Sequence, residues 1–179
     1  MKRRLLLRLG PALLPTMLLG ACAGPTPVDY AGETPLLDLK QYFNGELIAH
    51  GLFTDRSGRV QRRFVVVMKG TWQGNQGVLE EDFVYSDGAK ERRVWRLTQL
   101  PDGRYTGLAD DVVGVAEGRA AGNALNWRYT LRLPVDGKTY DVQFDDWMYL
   151  MDERVMLNKA VMSKFGFRLG EVTLAFYKK

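Results

Sequence analysis

An all-β fold, a single antiparallel up-and-down β-barrel of about ten strands behind a short N-terminal helix, is what this sequence predicts. Three observations carry that expectation. From Glu46 onward the chain divides into about ten short segments at regular spacing. The divisions fall at Asp-Gly, Ser-Gly and Gly-Asn pairs, the residues that tight hairpin turns demand. No long helical period separates the segments, which disfavours parallel βαβ winding.

The elements follow in order. Thr34-Pro35 before LLDLKQYF reads as a helix start, with Thr34 at the N-cap and Pro35 at the first helical position. Leu36, Leu39, Tyr42 and Phe43 offer one apolar face over about two turns, and Asn44-Gly45 ends it. Strands are then expected over 46–54, 59–69, 78–86, 91–99, 104–110, 112–121, 124–134, 138–149, 154–163 and 169–178. Alternation supports them. Trp127, Tyr129, Leu131 and Leu133 share one face, and Asn126, Arg128, Thr130 and Arg132 the other. Tyr140, Val142 and Phe144 likewise oppose Asp141, Gln143 and Asp145. A meander of this length leaves two bare edges unless it closes, and a helix followed by a closed up-and-down barrel resembles the calycins and lipocalins; a barrel of eight to ten strands can enclose one small ligand. An open curved sheet or sandwich is the alternative.

The front of the chain reads as an export signal. Lys2, Arg3, Arg4 and Arg8 precede an apolar run from Leu9 to Leu19, too short to span a bilayer and interrupted by Pro11 and Pro15. It ends in Leu19-Gly20-Ala21-Cys22, which resembles the lipobox of bacterial lipoproteins. Residues 1–21 are therefore expected to be a lipoprotein signal peptide and Cys22, the only cysteine, the lipidation site. Residues 22–34, rich in Pro and Gly, are expected to be a lipidated tether reaching roughly 30 Å, and 35–179 the barrel domain. Ala23 after the cysteine favours the outer membrane, on its periplasmic side. Four of the 25 basic residues lie in the signal and none of the 21 acids, so the remainder is formally neutral and the net charge of +4 gives no support to nucleic-acid binding.

Several strings resemble a known family: Gly70-Thr71-Trp72, Ala109-Asp110-Asp111-Val112-Val113-Gly114, Gly122-Asn123-Ala124-Leu125-Asn126-Trp127, Phe144-Asp145-Asp146-Trp147-Met148-Tyr149, Asn158-Lys159 and Gly170-Glu171-Val172-Thr173-Leu174. They are similar to a family of uncharacterised proteobacterial lipoproteins, a domain of unknown function, over nearly all of the chain from Leu37. That family has no assigned activity. Its members stand beside genes resembling cyclopropane-fatty-acid synthases, so the resemblance implies acyl-lipid handling.

No catalytic constellation is expected. His50 is the only histidine and has no cysteine or second histidine to complete a metal set, so neither metal nor cofactor is anticipated. Asp145 and Asp146 point to opposite faces of a regular strand, one exposed and the other paired with an arginine. Asp110-Asp111 reads as a turn or bulge, and Glu80, Glu81 and Asp82 as a solvated strand face. The aromatic supply is generous, and Met148, Met151, Met156 and Met162 add an adaptable wall. Trp72, Trp95, Trp127, Asp145, Asp146 and Trp147 are the candidate ligand-binding residues. Three functions follow: a carrier of a small apolar ligand such as a fatty-acyl lipid, a non-catalytic scaffold or interaction module, and an enzyme. Only the last requires a perturbed carboxylate or His50 inside the barrel.

Overall fold

The computed structural model describes residues 24–179 other than Asp136; the expected signal peptide and Cys22 lie outside these. The chain forms β1 (Gly45–Asp55), β2 (Val60–Gln73), β3 (Gln76–Tyr85), β4 (Lys90–Gln99), β5 (Arg104–Leu108), β6 (Ala116–Ala121), β7 (Ala124–Val135), β8 (Lys138–Leu150), β9 (Val155–Lys164) and β10 (Phe167–Lys178). Each strand pairs antiparallel with the next, and β1 closes on β10 from Leu47↔Lys178 to Asp55↔Gly170. The all-β, up-and-down barrel expected from the turn spacing is thus the fold, and no sheet edge is left unpaired.

Alternation decides which side chains face in. On β7 the inward set is Leu125, Trp127, Tyr129, Leu131 and Leu133, and on β8 it is Tyr140, Val142, Phe144, Asp146 and Met148. Among the described residues the buried core runs from Leu37 to Phe176, so this core lies entirely within 24–179. Two glycines let it pack. A Cβ on Gly107 would stand 2.6 Å from the Trp127 ring, and one on Gly118 2.2 Å, so the indole lies across β5 and β6 where only glycine leaves room.

The expected sixth strand is shorter than its sequence. Only 116–121 pair with β7 through Glu117↔Arg128 to Ala121↔Ala124. The stretch before it instead crosses the wall as a loop, where Val113 N–H donates to Thr130 O at 2.8 Å and Arg132 N–H to Asp111 O at 2.9 Å. That loop patches the gap left above the short β5 and β6.

The helix is also shorter than expected. α1 spans Leu39–Tyr42, and its N-cap is Asp38, whose Oδ1 accepts from the backbone of Lys40 at 2.8 Å. Thr34 does not cap it, because Thr34 and Pro35 form a bend and the chain runs on without helix past Leu37, whose N–H donates to Gly122 O at 2.8 Å. α1 plugs one end of the barrel: Leu39 and Phe43 reach the interior, and the Tyr42 hydroxyl donates to Arg154 O at 3.0 Å. Part of the stretch expected as a tether is ordered against the barrel. Pro27–Tyr30 forms a 3-10 turn, and the Tyr30 ring packs on Trp147 and Tyr149 at centroid distances of 5.7 and 5.4 Å, outside the barrel wall. The opposite end is the mouth, formed by the β1–β2, β3–β4, β7–β8 and β9–β10 hairpins.

Candidate functional site

Inside the barrel lies a cavity of about 760 Å³, closed by α1 below and open at the mouth. The barrel is hollow, with a wall that is mostly apolar: Phe64, Val66, Phe83, Leu131, Phe144 and Met162 are typical. Met148 also lines it, whereas Met156 is fully buried and Met151 is exposed. A volume on this scale suits a single small molecule, for which pockets run from roughly 300 to 1,000 Å³.

A polar cluster interrupts the apolar wall. Glu81 comes from β3, Arg93 from β4, Tyr129 from β7, Asp146 from β8 and Asn158 from β9. Each obeys the strand period: Glu81 sits between Leu79 and Phe83, Arg93 two before Trp95, Asp146 between Phe144 and Met148, and Asn158 between Met156 and Ala160. The fold therefore cannot turn these groups outward without exposing their apolar neighbours.

Arg93 is held from the wall. Its Nε donates to both Asp111 oxygens at 3.1 and 2.8 Å and its Nη2 reaches Oδ2 at 2.7 Å, while Glu81 stands 3.8 Å from Nη1 and Glu91 3.9 Å from Nη2. Burial opposes the charge of this guanidinium, but Glu81 and Asp111 outweigh it and hold the group above its ordinary range. Asp111 thus pins the 109–115 loop to the barrel, and its neighbour Asp110 is fully out in solvent.

Asp146 is 6% exposed and has no arginine partner among the described residues. The Asn158 amide donates to its Oδ1, and the Tyr129 hydroxyl makes a long 3.5 Å contact with Oδ2. Burial pushes the Asp146 carboxyl up to about 7, against the pull of those two donors, and the nearby Glu81 adds to the rise. Burial likewise pushes Glu81 up to about 7, with Arg93 and the Trp95 indole pulling the other way. Burial and Asp146 together hold the Tyr129 phenol well above its ordinary value. Two carboxyls poised near neutrality therefore face one apolar chamber.

Of the residues singled out from sequence, Trp95, Trp127 and Asp146 line the cavity. Trp72, Asp145 and Trp147 do not. Trp72 packs over Gly77 near the plugged end. Asp145 is on the outer face, accepting from Asn126 at 2.6 Å and facing Arg128 at 3.4 Å. Trp147 is outside, beneath Tyr30, because it follows Asp146 by one residue. The acid pair does diverge as expected, but the reading of one exposed and one arginine-paired acid is corrected: both descriptions fit Asp145, and Asp146 is buried. The solvated-face reading of 80–82 is corrected too. Glu80 and Asp82 meet Arg92 on the surface at 2.8 and 2.9 Å, whereas Glu81 turns inward. His50 is exposed on the outer wall. Among the described residues no group of three His, Cys, Asp or Glu side chains is placed to hold a metal, and no helix is long and apolar enough to cross a membrane.

Residues 16–178 match a family described as a protein of unknown function (DUF3833). The chain belongs to that family. No curated protein matches it. Among solved structures, the S-type phycobiliprotein lyase CPES from Guillardia theta is similar with a TM-score of 0.58 at 7% identity, covering 87% of this chain and 98% of its own. A DUF3598-family protein of unknown function from Nostoc punctiforme is similar with a TM-score of 0.51 at 10% identity, covering 82% of this chain and 51% of its own. At such identities the likeness speaks for the calycin-like fold alone.

Proposed function

We propose that this protein is a lipid-anchored barrel, held through Cys22 on the periplasmic face of the bacterial outer membrane, that binds or carries one small, largely apolar molecule such as a fatty-acyl lipid. The observation that carries the reading is the hollow, apolar interior of about 760 Å³. A filled barrel would have favoured the scaffold alternative.

A second reading has a specific observation behind it. Glu81 and Asp146, both pushed up to about 7, are equipped to exchange protons with a bound molecule, the property a general acid or base needs near neutral pH. The cavity serves either use, and binding comes first in both.

The test is titration of residues 24–179 with the neutral apolar dye N-phenyl-1-naphthylamine. Trp95 and Trp127 line the cavity, so saturable energy transfer from tryptophan to one dye per chain is the expected result. Absence of saturable uptake would overturn the reading.

A further inference from the structure

The cavity's polar groups are unequal in what they leave free. Among the described residues three cations reach its lining, and only Arg93 lies within the polar cluster, where Asp111 grips it. The other two stand toward the mouth: Arg62 donates to Asp87 Oδ1 at 2.9 Å beneath the Tyr85 ring while its Nε is buried without a partner, and Lys164 Nζ donates to the neutral Asp141 O at 3.2 Å. A carboxylate brought down to the cluster would find its one cation already held by Asp111.

The acceptors are in the opposite position. Asn158 is 2% exposed, and its Nδ2 donates to Asp146 Oδ1 and to Trp147 O, the latter at 3.3 Å. Two acceptors at that end fix the amide's orientation, and its Oδ1 is buried with no hydrogen-bond partner. Such an orphan costs about 1–3 kcal/mol unless something donates to it. Beside it stands Asp146, with no cation against it among the described residues, and the nearby Glu81 lies 3.8 Å from Arg93, beyond hydrogen-bond reach, with the Trp95 indole as its donor. Glu91, the remaining acid of the lining, accepts from the Tyr85 hydroxyl at 2.7 Å nearer the mouth.

We propose that Asn158 Oδ1, Asp146 and Glu81 form a head-group subsite within the apolar cavity that takes an O–H or N–H donor, and that it selects apolar molecules ending in a hydroxyl or amine against those ending in a carboxylate. This rests on the cavity being a binding site and narrows its ligand class. An amine gains a charge-assisted hydrogen bond from the acids; a hydroxyl satisfies the amide oxygen; a carboxylate meets acceptors and like charge.

The experiment displaces bound N-phenyl-1-naphthylamine from residues 24–179 with dodecylamine, dodecanol and laurate at neutral pH, each below its micelle concentration. These share one apolar chain and differ only in the head. The expected order is dodecylamine, then dodecanol, then laurate, with the amine acting at a concentration at least about tenfold below laurate, the factor that one charge-assisted bond supplies. In Glu81→Gln with Asp146→Asn, the amine should lose its lead over the alcohol. Laurate displacing the dye as well as dodecanol does would overturn the subsite while leaving the cavity reading intact. Failure of the dye itself to bind would overturn both. The wild-type series decides the matter alone if the double variant does not fold.

Discussion

Asp146→Asn should make the protein more stable at neutral pH, against the habit of buried-site substitutions. The neutral carboxyl is the form the folded protein favours, and an amide mimics it in shape and in acceptor capacity toward Asn158. In the unfolded chain Asp146 titrates near 3.8, whereas in the barrel burial pushes it up to about 7. Between those values the folded state holds a proton that the unfolded state has lost, so wild-type stability falls as pH rises. The contribution is fully present below about pH 4 and gone above about pH 7. At about 1.4 kcal/mol per pH unit, that window is worth on the order of 4 kcal/mol. Asp55, Asp87, Asp102 and Asp152, held low chiefly by side-chain or backbone hydrogen bonds in their turns, work in the other direction, losing their contribution as the pH falls toward 4 and below. They are common to both proteins and cancel in the difference. Urea denaturation at intervals from pH 4 to pH 8, followed by tryptophan fluorescence, measures it. The variant should gain on wild type by on the order of 4 kcal/mol across that range. Parallel curves would refute the claim that Asp146 is buried and unpaired.

Three further outcomes are expected. Gly118→Ala should cost about 1–3 kcal/mol by driving a methyl into the Trp127 ring, which thermal unfolding reads as a fall of roughly 2–4 °C per kcal/mol; an unchanged midpoint would mean the indole does not cross β6. Arg93→Met should cost about 3 kcal/mol by stranding Glu81 and Asp111, and hydrogen exchange should quicken at Val112 and Val113 as the loop loses its pin. Cys22→Ser should release the protein from the membrane fraction; unchanged retention would count against the anchor.

How much of this was legible in the sequence differs by element. The ten strands were legible because each hairpin carries its own turn chemistry: Gly58, Gly88, Gly137 and Gly166 all adopt positive φ at the mouth. The early end of β5 and the late start of β6 were not, because Val112 and Val113 look like strand residues and only their pairing across to β7 makes them a loop. The start of α1 was misplaced because Thr34-Pro35 is a good local start signal, and the contact of Leu37 with Gly122, 85 positions away in sequence, overrides it. In the site, Trp95 and Trp127 followed from aromatic content alone. Glu81, Arg93 and Asn158 were missed, although the signal existed. Counting by twos from Leu79, Leu97 and Met156 puts all three on the inner face, and a charged residue on an apolar face is the informative exception. Trp147 was a ligand candidate on the same aromatic content, but strand parity puts it outside.

The cavity is expected to hold a ligand in the cell. Native mass spectrometry of the protein, purified gently from its own envelope without a competing detergent, tests it most directly. One apolar molecule per chain, ending in a hydroxyl or amine when fragmented, is the predicted result. An empty chain that also fails to take up N-phenyl-1-naphthylamine would contradict it.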